Sequence, residues 1–257
     1  MRTSNPILNP QTFSKEHAFG AGEVMTVQGT INKCFALFFL LVLSASWVWN
    51  QLLQVSPTVS GAPAVQAMAG LSGWIFGGAI AGFILALVTA FRPQWAAFTA
   101  PLYAACEGLF LGGISAYFEA SYPGLVIQAV ALTFATMFCM LFIYKTGIVK
   151  VTPNFARGLM AATGAIALIY LGSWILSFFG MTVPFLYGSS PVSIGISFVI
   201  VGIAAFNLVL DFHIIEEGAA QGAAKHMEWY GAFALMVTLV WLYMEILRLL
   251  AKMRDRR

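Results

Sequence analysis

The chain has 257 residues, of which 60% are hydrophobic and 9% are charged. Soluble domains carry about 25% charged residues, so this composition excludes an ordinary soluble protein and indicates several membrane spans. The net charge of +3 is small, and no basic cluster outside the C-terminal tail suits a nucleic-acid partner. We therefore expect an all-α polytopic membrane protein whose main surroundings are the lipid bilayer.

Seven apolar runs are long enough to cross a bilayer as helices of about 20 residues each. They are predicted at residues 34–53, 71–91, 97–118, 125–144, 158–179, 192–211 and 229–250, and the sixth can run on to residue 215. This pattern divides the chain into an irregular cytoplasmic tail over residues 1–33, a transmembrane domain over residues 34–250 and a basic tail over residues 251–257. A polar loop is predicted from His213 to Glu228.

The positions of lysine and arginine predict the orientation, because cytoplasmic loops carry an excess of both. The first tail and the loops after spans two, four and six contain these residues, whereas the loops after spans one, three and five do not. The N-terminus is therefore predicted to be cytoplasmic. Seven crossings place the basic C-terminal tail outside, where it is expected to meet anionic lipid. The alternative is a last segment that does not fully cross, but its apolar run is long enough for a full span.

Two pairs of glycines, Gly78 with Gly82 and Gly108 with Gly112, have the small-xxx-small spacing that lets helix backbones approach closely. Tight packing within one bundle explains both pairs. A dimer face is the alternative.

Three acids, Asp211, Glu107 and Glu245, fall within the apolar runs, where an ionisable side chain is costly and is a functional candidate by default. Asp211 closes the sixth span, and its carboxylate is suited to hold a cation or a proton as a pH-sensitive latch. The alternative for Asp211 is a helix-end acid that faces cytoplasmic water. Glu107 lies in the middle of the third span, without a neutralising group in its own helix. We expect it to face the bundle interior, in a polar pathway or as a protonated carboxyl.

Glu245 and Thr238 lie two turns apart on one face of the seventh span. Arg248 follows Glu245 by three residues and can pair with it inside the helix, which is the structural alternative to a functional role. If the span crosses outward, Glu245 is near the outer surface and Thr238 is nearer the middle. Thr238 is then close in depth to Asp211, and its hydroxyl can donate a hydrogen bond but cannot complete a pair of carboxylates.

A cluster of His213, Glu216, Glu217 and His226 invites comparison with a metal site. His213 and Glu217 have a workable i,i+4 ligand spacing. The segment is polar, however, and has no HExxH pattern, so solvated charges are the ordinary interpretation. Alternatively, the glutamates form an acidic mouth that collects cations. We predict no metal or other cofactor, and the sequence has no motif of an enzyme.

With these residues in view, the chain resembles the Bax inhibitor-1 family, also called the transmembrane Bax-inhibitor-motif family, and within it a bacterial branch. The resemblance covers essentially the whole chain. It rests on Arg2-Thr-Ser-Asn-Pro-Ile-Leu8, Tyr103-xxx-Glu107-Gly108-xxx-Gly112, Asn207-Leu-Val-Leu-Asp211-Phe212, Met227-Glu-Trp-Tyr-Gly231 and Leu242-Tyr-Met-Glu-Ile-Leu-Arg248.

The resemblance implies a seven-helix bundle in the inner membrane with the last helix at the centre. It also implies a pH-sensitive calcium leak that is controlled by an aspartate pair on spans six and seven. Asp211 looks like the span-six member of that pair. The span-seven position is occupied by Thr238, which departs from the family pattern, and neither Glu245 nor Glu107 stands at the motif position.

Two functions therefore compete, with a third behind them. The first is a calcium or cation leak, in which polar groups line an interior path. The second is a non-conducting regulator that binds other membrane proteins, such as a quality-control protease, through a small-residue face turned to lipid. The third is an intramembrane zinc hydrolase, which has too few histidines at membrane depth.

Overall fold

The structure is a computed structural model that describes residues 24–55, 63–181, 183, 186 and 188–256. Seven helices follow one another, α1 Val27–Val55, α2 Pro63–Phe91, α3 Ala96–Ser121, α4 Leu125–Lys145, α5 Pro153–Ser177, α6 Pro191–Ala220 and α7 Met227–Asp255. All seven are long and apolar enough to cross a membrane, which confirms the predicted all-α, seven-span fold. The opening motif of the sequence lies outside the described residues.

Hydroxyl caps fix where two of these helices begin. Pro153 and Pro191 occupy the first turns of α5 and α6, where a missing backbone N–H costs nothing. The Thr152 hydroxyl accepts the N–H of Phe155 at 3.2 Å. The Ser190 hydroxyl accepts the N–H of Ser193 at 3.2 Å, in the same way. These caps explain why α5 begins before residue 158, where the apolar run alone had placed it.

Several helices extend well beyond the apolar runs, and α2 already begins at Pro63 instead of residue 71. The first helix begins at Val27 inside the predicted tail, α6 continues to Ala220, and α7 continues to Asp255. The segment from His213 to Ala220 is thus helical, although a loop was predicted. Hydropathy marks the part of a helix that suits lipid, whereas backbone hydrogen bonding continues through Glu and Ala. The helix α6 ends where Gly222 adopts a left-handed φ of 69°.

The last helix lies at the centre of the bundle, as the resemblance implied. It packs against α1, α3, α4 and α6, while α2 packs on α1 and α3. In the membrane-spanning part of α7, 67% of the residues are buried inside the bundle, whereas the corresponding share for α4 is 11%. A helix that is apolar on all sides and buried on most of them is a core helix rather than a peripheral one.

The paired glycines bring α3 close to both α1 and α2. A Cβ atom added at Gly108 would lie 1.9 Å from the Ser44 hydroxyl on α1. One added at Gly78 would lie 2.7 Å from the Cys106 carbonyl on α3. The backbones are therefore in direct contact at these positions, and the first interpretation, packing within one bundle, is confirmed.

The two termini of the described chain lie at opposite ends of the bundle. Met25 donates its N–H to the Ala223 carbonyl at 2.7 Å, which places the start of α1 beside the α6–α7 turn. Arg254, near the end of α7, donates to the Pro123 carbonyl at 3.0 Å in the α3–α4 turn. We call these the N-terminal end and the C-terminal end of the bundle. The contacts support a full seventh span.

Candidate functional site

Asp211 lies inside the bundle. Only 1% of its surface is exposed, and the flanking Leu210 and Ile214 are also buried. Its carboxylate is within electrostatic reach of the Cys34 thiol on α1. At a rise of 1.5 Å per residue, Asp211 is about 14 Å from the end of α6 at Ala220. A carboxylate in this position does not face cytoplasmic water, because α6 continues beyond it.

Thr238 on α7 matches Asp211 in depth, as the sequence predicted. It is 3% exposed, and it lies about 16 Å from the start of α7 at Met227. Its hydroxyl donates to the Ala234 carbonyl one turn earlier, at 3.3 Å. The position at which the resemblance implied a second carboxylate is thus occupied by a buried hydroxyl that bonds to its own helix.

Glu107 faces a different interface. A Cβ atom added at Gly82 on α2 would lie 3.3 Å from one of its carboxyl oxygens. Tyr103, one turn earlier on α3, lies near the carboxyl group. The Tyr103 ring in turn packs edge-on against Phe233 of α7, at 5.0 Å between centroids. Glu107 therefore lies between α2 and α3 and reaches the central helix through a tyrosine.

Glu245 is buried near the C-terminal end, with 2% of its surface exposed. It accepts hydrogen bonds from the Tyr170 hydroxyl at 2.9 and 3.0 Å and from Trp241 Nε1 at 3.3 Å. Arg248 forms the expected pair with it inside the helix, at 3.2 Å. Glu245 is about 10 Å further along α7 than Thr238, so it is not brought to the depth of Asp211.

The predicted mouth residues occupy the last turns of α6 at the N-terminal end. The Tyr144 hydroxyl donates to Glu216, and Lys145 pairs with the same carboxylate at 3.1 Å. His213 Nε2 lies 3.7 Å from a carboxylate oxygen of Glu217. These side chains are partly exposed and form a surface network. Among the described residues, no group of three or more His, Cys, Asp and Glu side chains is placed to hold a metal ion.

One buried acid, Glu228, was not predicted from the sequence, and none of its surface is exposed. Its carboxylate accepts the N–H and the hydroxyl of Thr26, each at 2.9 Å, and pairs with Lys33. Lys225 lies 3.4 Å away. A Cβ atom at Gly29 would lie 2.1 Å from one carboxylate oxygen, so the glycine makes room for it. We call this cluster the Glu228 clasp, since it ties the start of α1 to the start of α7.

The local sequence offers little that would have revealed the clasp. Glu228 adjoins the predicted loop, and its partner Lys33 is 195 residues away in the chain. The signal that could have found it is the motif Met227-Glu-Trp-Tyr-Gly231 in the resemblance.

Lys252 overturns the expectation that the basic tail meets lipid along its whole length. It is 5% exposed, and its ammonium donates to the Ser193 hydroxyl at 2.9 Å and to the Ser197 hydroxyl at 2.7 Å. A third bond goes to the Leu186 carbonyl. All three donors of the ammonium are thereby satisfied. The cation is buried because α7 continues past residue 251 and packs against the start of α6.

Two apolar cavities lie between the helices. One, of about 400 Å³, is enclosed by α1, α3, α4 and α7, and the other, of about 500 Å³, lies between α5 and α6. Neither is lined by Asp211, Thr238 or Glu107. In this conformation the Asp211 region is packed by protein, so ion passage would require α6 to move relative to its neighbours.

Comparison with known proteins assigns the chain to a family. No curated protein and no solved structure matched it. A family model described as Bax inhibitor 1 like matches residues 5–255, which is nearly the whole chain. The seven apolar helices of the described residues, with the last one at the centre, agree with the architecture that the sequence resemblance implied. The protein therefore belongs to the Bax inhibitor 1 like family.

Proposed function

We propose that the protein is a pH-sensitive calcium or cation leak in the inner membrane, with Asp211 as its protonation switch. The observation that carries this proposal is the 1% exposure of Asp211 within the bundle, beside the core of α1 and α7. A carboxylate at membrane depth is costly in its charged form and is a functional candidate by default. The proposal describes transport without catalysis and without a bound cofactor.

Protonation provides the physical link between pH and movement. A charged Asp211 needs polar partners inside the bundle, whereas a protonated, neutral Asp211 can be packed among apolar side chains. The switch therefore changes the free-energy difference between two arrangements of α6 against the central helix. Because Asp211 is closed off in the described conformation, we assign this conformation to the non-conducting state.

The N-terminal end offers an entry for cations. Glu216 and Glu217 put two carboxylates on the last turns of α6, beside one lysine, Lys145. Such a local excess of acids raises the concentration of cations at the surface. We place this end in the cytoplasm, because the loops at this end carry lysine and arginine whereas those after spans one, three and five do not.

The proposal is tested by calcium flux into proteoliposomes that hold wild-type protein or the Asp211→Asn variant, from about pH 6 to about pH 8. Asparagine keeps the size and polarity of the side chain but cannot titrate. We expect the wild-type flux to depend on pH and the variant to lose that dependence. Asp255→Asn, the same substitution at an exposed position near the end of α7, is the matched control and should keep the dependence. Equal flux from Asp211→Asn and wild type at every pH would refute the switch.

A second variant addresses the departure at Thr238. If the depth match matters, Thr238→Asp, which places a second carboxylate at a depth similar to that of Asp211, should couple the two titrations. We expect the pH response to become steeper in Thr238→Asp and to disappear when Asp211→Asn is added. An unchanged response in the single variant would show that Thr238 is a packing residue.

The alternative function is a regulator that binds another membrane protein, and one observation favours it. Gly73 and Gly77 on α2 have the small-xxx-small spacing, yet an added Cβ atom would meet nothing within 4 Å at either glycine. This pair is therefore turned away from its own bundle, unlike Gly78. Two results together would support the regulator. Wild type would show no calcium flux, and a photoreactive residue at Gly77 would crosslink to a membrane protease.

A further inference from the structure

The groove between α5 and α6 has the features of a phospholipid site. Its volume is about 500 Å³, and it is lined by Ile166, Ile169, Tyr170, Leu186, Val192, Gly195, Ile196, Val199, Ile200 and Ile203. Tyr170 is the one lining side chain with a polar group. Val192 and Val199 are 66% and 60% exposed, so the groove opens to the outside of the bundle at membrane depth. We call it the α5–α6 groove.

The length of the groove matches one leaflet. From Val192 to Ile203 it follows α6 for about 16 Å, and half of a hydrocarbon core is about 15 Å thick. It begins at the C-terminal end of the bundle, where α6 starts. A groove of this length and apolarity suits one acyl chain that lies along the membrane normal.

A cation stands beside the groove at the level of the lipid headgroups. Arg248 NH1 donates to the hydroxyl of Tyr170 at 2.7 Å, and its guanidinium lies 5.1 Å from the centre of the Tyr170 ring. Arg248 is 20 residues beyond Glu228 on α7, which corresponds to about 30 Å, the thickness of a hydrocarbon core. Because the Glu228 clasp is charged, it marks one edge of that core. Arg248 therefore marks the other.

The guanidinium retains the capacity to bind an anion. Within the described residues, its hydrogen bonds to Tyr170 and Glu245 both use NH1, and 29% of the side chain is exposed. Arginine has five donors, so Nε and NH2 can bind a phosphate group side by side. Lys252 bonds to the carbonyl of Leu186, which lines the groove, and so adds a second positive charge nearby. The two cations, Arg248 and Lys252, outnumber the one nearby carboxylate, Glu245, so the net charge of this region is positive.

We propose that the α5–α6 groove binds one phospholipid with an anionic headgroup, its acyl chain along α6 and its phosphate on Arg248. Neither cavity is lined by a charged side chain, but the lining residue Tyr170 of the α5–α6 groove is bonded to Arg248. In the other cavity the lining residue Tyr243 is bonded to Ser115, which carries no charge. That cavity offers acyl chains a place without a preference for headgroup charge. The lipid site is independent of Asp211 and of ion flux.

Glycine positions in α6 allow a matched test. Gly195 lines the groove, and an added Cβ atom meets nothing within 4 Å, so Gly195→Leu fills the groove without a backbone clash. Gly202 is equally open and does not line the groove, so Gly202→Leu is the control. Val199→Trp is a second filling variant at an exposed position. Circular dichroism and elution volume establish that each variant is folded.

The experiment is native mass spectrometry of the full chain in mild detergent, with phosphatidylglycerol or phosphatidylcholine of identical acyl chains added. We expect one retained lipid per chain, with phosphatidylglycerol favoured about fivefold, since one net cation near a membrane surface contributes about 1 kcal/mol. Both filling variants should lose the retained lipid, whereas Gly202→Leu should keep it. Retention by both filling variants at the wild-type level would overturn the site.

Arg248 is tested by headgroup preference rather than by total binding. Arg248→Gln should still retain lipid but bind the two headgroups equally, and Arg248→Lys should keep the preference for phosphatidylglycerol. If wild type binds the two lipids equally, the proposed preference of the site for an anionic headgroup is wrong. If Arg248→Gln does not fold, the lysine variant and the filling variants still decide the proposal.

Discussion

The two ends of the central helix are both held by buried charges, but in different ways. At the N-terminal end, Glu228 is bound by Thr26 and Lys33 from another helix. At the C-terminal end, Glu245 is paired with Arg248 of its own helix and receives one hydroxyl from α5. The clasp therefore joins two helices, whereas the pair at the other end mainly neutralises a charge within one helix.

This difference indicates which contacts hold the helices of the bundle together. A contact between helices that are far apart in sequence resists their separation, while a pair within one helix does not itself hold the neighbouring helices. At the C-terminal end a separate residue, Lys252, connects α7 to α6 through Ser193 and Ser197. The switch proposed at Asp211 lies between the two ends, on α6. The clasp holds α1 against α7, the two helices beside which α6 would move, and it is therefore the first place to break.

The largest effect is expected from Glu228→Ala. Removal of the carboxylate leaves Lys33 without its partner and the Thr26 N–H without its acceptor. Breaking a buried pair costs about 3 to 5 kcal/mol, so the free energy of unfolding in detergent should fall by about that amount. Lys33→Met with Glu228→Met should recover much of the loss, since no isolated charge remains. A loss below about 1 kcal/mol for Glu228→Ala would show that the clasp does not fasten the bundle.

A smaller loss is expected from Gly29→Ala, which acts on the same cluster by crowding. The new methyl group would stand 2.1 Å from a Glu228 oxygen and displace the carboxylate. Overpacking costs about 1 to 3 kcal/mol. Gly164→Ala on α5, where the methyl meets nothing, should instead raise the free energy of unfolding slightly. If the clasp is the reason, Gly29→Ala should cost much less in the Glu228→Ala background.

The C-terminal end is tested by Tyr170→Phe. The variant removes the hydroxyl that bonds to both Glu245 and Arg248 but keeps the ring. Hydrogen bonds to charged groups contribute about 1.5 to 3 kcal/mol, and the free energy of unfolding should fall toward the low end of that range because the ion pair remains. Tyr144→Phe removes a hydroxyl from a partly exposed glutamate and should cost less. Equal losses would contradict the role of burial.

The smallest effect is expected from Lys145→Ala. Its pair with Glu216 is exposed on both sides, with 60% and 49% of the side-chain surfaces accessible. Exposed pairs contribute about 1 kcal/mol or less and are weakened by salt. The loss in the free energy of unfolding should therefore disappear at high ionic strength, whereas the loss from Glu228→Ala should persist.

The fold could be predicted from the sequence because each span is a single long apolar run. Hydropathy reports the helix segment that suits lipid, and that segment needs no knowledge of its neighbours. The depth of Asp211 could not be predicted in this way, because the apolar run ends at residue 211 whereas α6 continues to Ala220. The pair of Glu245 with Arg248 could also be predicted, since both residues share one helix face.

Contacts between distant helices could not be predicted in this way. Glu228 looked like a loop residue because the polar segment hides the start of α7, and Lys33 gave no sign of being its partner. Lys252 looked like part of a lipid-facing tail because its acceptors, two serines and a carbonyl, carry no charge. Local sequence shows which groups need a partner, and tertiary packing decides which partner they receive.

The role of Asp211 as the protonation switch is tested most directly by one ratio, that of the calcium flux near pH 6 to the flux near pH 8. It is measured side by side for wild type and Asp211→Asn in the same lipid. If Asp211 is the protonation switch, this ratio differs from one in wild type and equals one in the variant. Dependence on pH in both proteins, at equal strength, would contradict the role of Asp211 as the switch.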